Sequence, residues 1–163
     1  MNFKGKLAKF CICQIQHYNH EKYWKRRAAV IDPNNRCPKL LRLYYLYKVK
    51  KTDAYHNCSF GTLWKQGSIF DTPPQLPHGP KGIILGNNLH FGKNVIIFHN
   101  VTIASGGCQI GDNVLFSAGC TVLSTVKKIG NNAKIGANAV VLEDVPANAT
   151  VVIQKPRIIM RNE

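Results

Sequence analysis

From residue 85 onward the chain counts in sixes. Leu85, Phe91, Ile97 and Ile103 are six apart, as are Ile110, Phe116 and Val122, and again Ile129, Ile135 and Val141. The two joins between these groups, 103–110 and 122–129, take seven residues. Glycine follows the apolar residue at Gly86, Gly92, Gly111, Gly130 and Gly136. Four positions after the apolar residues stand Leu89, Val95, Val101, Val114, Cys120, Ala133, Ala139 and Val145, mostly small or β-branched.

A two-residue alternation within short strands, broken by turns, explains this grouping. The apolar and fourth positions point inward, and the intervening Gly, Asn and Asp residues make corners. Three such sides close a triangular coil of about 18 residues, and coils stack as parallel sheets about 4.8 Å apart. The extra residues of the longer joins, near Gly106-Gly107 and near Thr125-Val126, lie 19 apart and so fall at the same corner of adjacent coils. A sandwich does not produce that coincidence. A βαβ fold is excluded because no helical run of ordinary length interrupts the repeat. Asp144-Val145-Pro146 breaks the pattern. The expected organisation is a helical region at 1–51, a repeat domain at 52–146, and a cap or returning tail at 147–163.

The helical expectation for the first part rests on two segments. Residues 2–30 mix apolar and basic side chains without strict alternation, and Asp32-Pro33-Asn34-Asn35 stops them. The run CPKLLRLYYLYKVK at 37–50 can place Leu40, Leu43, Tyr44 and Tyr47 on one helix face. Packing of that stripe against the rest of the protein is the ordinary expectation. The alternative is peripheral contact with an anionic membrane, because basic residues flank it.

The formal charge is +14, and residues 1–56 carry 13 Lys or Arg against 3 acids. Such a head favours an anionic partner. Nucleic acid is not expected, since no recognition motif is present and the chain beyond residue 80 is not basic enough for a phosphate track. Six cysteines, at 11, 13, 37, 58, 108 and 120, show no CxxC spacing. They read as reduced thiols in a cytoplasmic protein, and neither a secretory signal nor a membrane-spanning apolar run stands against that location.

The repeat, with GIILG at 82–86, VTIA at 101–104, IGDNVLFSAGCTVL at 110–123 and IGNNAKIGANAVVLEDVP at 129–146, resembles the hexapeptide-repeat acyltransferases. Within them it is similar to the serine acetyltransferase-like branch, which includes capsular and exopolysaccharide O-acetyltransferases. The resemblance spans roughly residues 52–159. It implies a left-handed parallel β-helix, a homotrimer, and acetyl-CoA as acyl donor bound between subunits.

Acetyl transfer to an alcohol needs a base for the hydroxyl proton, donors for the developing oxyanion, and a held thioester arm. The resemblance places the base at His78, in LPHGPKGIILG. A carboxylate that accepts a hydrogen bond from its second nitrogen follows from the branch pattern, an Asp seven residues before the first repeat pair. Counting back from Phe60-Gly61 gives Asp53, while the long stretch between Phe60 and His78 contains the rival Asp71. His99, in IIFHNVTIA, should point out of the prism and line the acceptor site. The spacing of His78, His90 and His99 does not fit a three-histidine zinc site, and no metal is expected.

For the donor, slim side chains are expected where the pantetheine runs: Ala104, Ser117, Ala118, Gly119, Ala137 and Asn138. In the tail, Lys155 and Arg157 are the candidates for the nucleotide phosphates. The corner ASGGCQIGDN at 104–113 lacks the longer histidine-bearing loop of serine-specific enzymes. That shorter loop favours a sugar or lipid-linked glycan hydroxyl as acceptor. Serine acetylation and a non-catalytic β-helix scaffold remain the other readings.

Overall fold

The computed structural model describes residues 12–154. Ten two-residue strands, from Ile84–Leu85 to Val140–Val141, follow the expected sixes, because each side of a coil has room for one inward and one outward residue before the chain must turn. On the first face lie Ser59–Phe60, Ile84–Leu85, Thr102–Ile103, Thr121–Val122 and Val140–Val141, all paired in parallel. The second face stacks Ile69–Phe70, His90–Phe91, Gln109–Ile110 and Lys128–Ile129. The third stacks Ile96–Ile97, Leu115–Phe116, Lys134–Ile135 and Thr150–Val151. The result is a parallel β-solenoid, consistent with the left-handed coil that the resemblance implies.

The core is the column of inward side chains. Every repeat residue from Leu85 to Val141 is buried, and so is every fourth-position residue from Leu89 to Val145. Phe70 and Phe91, on successive coils of the second face, stack with centroids 4.3 Å apart and planes 1° apart. Corners between the second and third faces are made by Asn94, Asn113, Asn132 and Asn148, all with left-handed backbones (φ 56 to 61°). Asparagine tolerates that region better than other non-glycine residues, and here each side chain also donates to the next: Asn94 to Asn113 at 3.3 Å, Asn113 to Asn132 at 3.2 Å, Asn132 to Asn148 at 3.0 Å.

Two boundaries differ from the sequence expectation. The second helix runs through His56, and the solenoid continues past Pro146 to the strand Thr150–Val151. The Pro146 break only turns a corner: Val145 still bridges Ile129 and accounts for one side of the last coil. The long stretch between Phe60 and His78 contains an antiparallel hairpin, Thr62–Leu63 with Gln66–Gly67, bulging from a corner of the first coil.

Two helices cover that first coil, α1 (His20–Ile31) and α2 (Lys39–His56). Asn19 caps α1 by accepting the Lys22 amide hydrogen at 3.0 Å. α1 is anchored through Trp24, whose ring meets Phe60 at 5.2 Å and Phe70 at 4.8 Å, and through the buried Arg27. The Arg27 guanidinium donates to the Phe60 carbonyl at 2.7 Å, the Ser68 carbonyl at 2.6 Å and Thr62 Oγ1 at 3.0 Å. Burial pushes its pKa down to about 10, still well above neutrality.

α2 packs with the side opposite to the expected one. Arg42, Val49, Asp53 and His56 face inward, whereas Leu40, Leu43, Tyr44 and Tyr47 lie exposed. The ordinary expectation for the Leu–Tyr stripe is therefore corrected. The inward side of α2 meets α1, whose Tyr23 offers a phenol to a carboxylate rather than an apolar surface to leucines.

Candidate active site

His78 and His99 are brought together at the corner between the third and first faces. The bridge of Gln75 to Ile96 ends one coil's third side, and the chain then turns through 76–83 before Ile84. One coil later the same corner is 98–101. Gly82 makes the turn possible with a left-handed backbone (φ 66°), and a Cβ there would strike the Asn100 side chain. With the corners stacked, His78 Nδ1 lies 2.8 Å from His99 Nδ1. The ring of Phe98 stands edge-on to His78, at 5.3 Å and 89°. His78 is exposed and His99 half-buried, so a solute can reach the pair.

An Nδ1–Nδ1 contact at this distance requires that one of the two nitrogens carry the proton and the other accept it. Each ring thereby fixes the other's tautomer. Phe98 gives no signal in the period beyond its place one residue before His99, and its part in orienting His78 is visible only in the folded chain.

The carboxylates expected near His78 are elsewhere. Asp53 is buried on α2, where its Oδ1 accepts the Tyr23 hydroxyl hydrogen at 2.6 Å and the Cys58 thiol at 3.9 Å. Its Oδ2 has no partner among the described residues. The seven-residue count leads back into a helix, which turns the side chain toward Tyr23 of α1. Burial raises the Asp53 pKa, opposed by the Tyr23 hydrogen bond. Asp71 lies on the second face, 2.9 Å from His90 Nε2. Neither carboxylate contacts His78 within the chain; its partner is His99.

The slim residues expected to hold a thioester arm fall into the fold in two groups. Ser117, Ala118 and Gly119 form the corner directly after that of His99, and Ala137 and Asn138 form the next. The stacking is backbone-locked: the Gly119 amide donates to the His99 carbonyl at 3.1 Å and the Asn138 amide to the Ala118 carbonyl at 3.0 Å. Gly119 has φ 72°, and a Cβ there would run into the Asn138 side chain. Ala104 lies at the other edge of the first face, where its amide donates to the Val122 carbonyl. The two groups thus flank the first face on both sides. Lys155 and Arg157 lie outside the described residues. Cys120, in the same column, points into the core, and burial pushes its thiol up to about 12, so it is no nucleophile at neutral pH.

No protein-family model matches the chain, and no curated protein matches it. Solved structures share its architecture. The fold is that of the serine acetyltransferases. Serine acetyltransferase isoform 3 of Entamoeba histolytica, in complex with cysteine, superposes with a TM-score of 0.60 at 22% identity, over 74% of this chain and 44% of that one. The Neisseria gonorrhoeae enzyme in complex with serine gives 0.54 at 30% identity, over 72% and 48%. A serine acetyltransferase in complex with CoA gives 0.55 at 26% identity, over 69% and 46%. The chain spans less than half the length of each of these neighbours.

Proposed function

We propose that the chain is an acetyl-CoA-dependent O-acetyltransferase in which His78 is the general base. The observation that carries this reading is the His78–His99 contact of 2.8 Å at an open corner. In the arrangement that serves catalysis, His78 holds its proton on Nδ1 and donates it to His99 Nδ1, leaving Nε2 free. His99 then carries its own proton on Nε2. His78 Nε2 accepts the proton of the acceptor hydroxyl as that oxygen bonds to the acetyl carbon. It returns the proton to the sulfur set free when the carbon–sulfur bond breaks. His99 takes the place that a carboxylate often holds beside a catalytic histidine, keeping the ring oriented and accepting from the imidazolium.

Acetyl-CoA supplies an activated thioester. The slim corners of Ser117–Gly119 and Ala137–Asn138 are the proposed track of the pantetheine arm, although the space directly against Gly119 is already filled by the Asn138 side chain. The likeness to a neighbour solved with CoA supports the same donor. Ala104 on the opposite edge, and Lys155 and Arg157 in the tail, complete the proposed donor contacts. The resemblance further carries a homotrimer with the donor between subunits.

The acceptor proposed is a sugar hydroxyl, because the corner after Thr102–Ile103 goes directly through 104–108 to Gln109, without the longer histidine-bearing loop of serine-specific enzymes. Free serine is the second reading, favoured by the 30%-identical neighbour solved with serine. The experiment is CoA-thiol release from acetyl-CoA with serine and with a panel of saccharides. Saturable release with a saccharide and none with serine supports the first reading; the reverse supports the second. No release with any acceptor, together with no CoA binding, leaves a β-helix scaffold.

A further inference from the structure

α2 carries its polar side inward and its apolar side outward. Arg42, Val49, Asp53 and His56 are buried, while Leu40 is 82% exposed, Tyr47 58% and Tyr55 60%. Leu43 and Tyr44 are each nearly half exposed. The spacing of Leu40, Leu43, Tyr44 and Tyr47 makes one continuous stripe on the outer face. A surface helix ordinarily turns such a stripe to the core. Scattered exposed apolar side chains need no partner, but a continuous stripe rimmed by charge marks an interaction surface.

The rim has a single sign. The Lys48 ammonium sits 5.5 Å from the Tyr44 ring centroid and the Lys51 ammonium 6.0 Å from that of Tyr47. Lys39 and Lys50 are also exposed. No acidic residue occurs between Asp32 and Asp53, and Asp53 is buried. Beside the stripe, a groove of about 810 Å³ between α1 and α2 adds Lys22 and Arg26, with Glu21 its one acid among the described lining residues.

That charge selects the occupant. A second copy of the chain would bring lysines against lysines on a stripe with no exposed carboxylate of its own to answer them. An anionic lipid leaflet answers them, and it also offers an interface in which leucine and tyrosine are both at home. We propose that α2 docks the protein peripherally on an anionic membrane surface. Leu40, Leu43, Tyr44 and Tyr47 enter the boundary between headgroups and acyl chains, and Lys48 and Lys51 lie among the phosphates. Among the described residues no helix is long and apolar enough to cross a membrane, so the helix lies in the plane. The docking is independent of acetyl transfer, whose residues lie on the solenoid.

The test is co-sedimentation of the full chain with vesicles of phosphatidylcholine alone and of phosphatidylcholine with phosphatidylglycerol, at low and high salt. Binding is expected only to the anionic vesicles and to weaken with salt. Lys48→Gln with Lys51→Gln should lower the partition coefficient roughly 30-fold, about fivefold for each lysine. Leu40→Ser with Tyr47→Ser should lower it by about tenfold or more, with an unchanged melting temperature showing that the fold is intact. No binding to anionic vesicles at low salt overturns the proposal, as does equal binding to both vesicle types. Sedimentation equilibrium on the same proteins covers the other occupant: an assembly present in the parent and lost in the Leu40→Ser, Tyr47→Ser variant makes the stripe a contact between copies and also overturns it.

Discussion

Tyr23 donates its phenol hydrogen to Asp53 Oδ1 at 2.6 Å across the packed faces of α1 and α2, in a place where both side chains are buried. This bond joins the two helices through polar groups. Among the described residues it leaves the second carboxylate oxygen without a partner, a costly state for a charged group.

A pH dependence follows from that burial. The Asp53 pKa is raised in the folded protein, so the folded state keeps its proton where the unfolded chain has lost it. The resulting contribution to stability is full below the ordinary carboxylate range and is lost as pH rises through the folded value. Asp53→Asn has no proton to lose, and its Oδ1 still accepts from Tyr23. Melting temperatures of parent and variant should therefore diverge in favour of Asn as pH rises from about 4 to about 7. A constant difference across that range would show that Asp53 does not titrate there.

The histidine pair gives a graded expectation. His78→Ala should lower kcat by roughly 10²–10⁴-fold, the usual cost of removing an acid–base group. His99→Ala, which removes only the acceptor at Nδ1, should cost less than His78→Ala, with CoA affinity unchanged in both. His99→Asn, whose amide oxygen can still accept, should recover part of the loss. Steady-state kinetics and CoA titration on the same preparations check this. A larger loss for His99→Ala than for His78→Ala would exchange the two roles.

The asparagine corners predict a stability difference between two small substitutions. Asn113 has φ 57° and bonds to its neighbours above and below. Asn113→Ala removes both side-chain bonds and forces an alanine into the left-handed region, at a cost of about 1–2 kcal/mol. Asn113→Gly loses the same bonds without the strain and should cost less. Urea denaturation of the two variants reads the difference directly, and equal midpoints would assign the effect to the ladder bonds alone.

Arg27 fastens the helices to the solenoid. Arg27→Met should cost about 3 kcal/mol or more, because it strips donors from the Phe60 and Ser68 carbonyls and the Thr62 hydroxyl in a buried site. The urea midpoint should fall with little change in slope. A loss confined to the helical signal, with the β-sheet transition unmoved, would show that the helices unfold separately from the coils.

The sequence by itself determined the solenoid, because its period is local. Two residues per strand and a left-handed corner residue decide which side chains point inward, and each coil needs only its neighbours to complete the pattern. For that reason Leu85 through Val141 can be assigned to the core by counting, and the longer joins at Gly106-Gly107 and Thr125-Val126 indeed share a corner. Tertiary structure decided the rest. His78 and His99 are 21 residues apart, and only the length of the coil between them brings their Nδ1 atoms into contact. Asp53 could be counted from Phe60 as a partner of His78, but α2 carries it past Tyr23, and a hydrogen bond there takes it. The Leu–Tyr stripe on α2 was legible as a stripe. Its direction was not, since amphipathic spacing identifies a face without saying what that face meets, and here Tyr23 and the Trp24–Phe60–Arg27 contacts hold the opposite side inward.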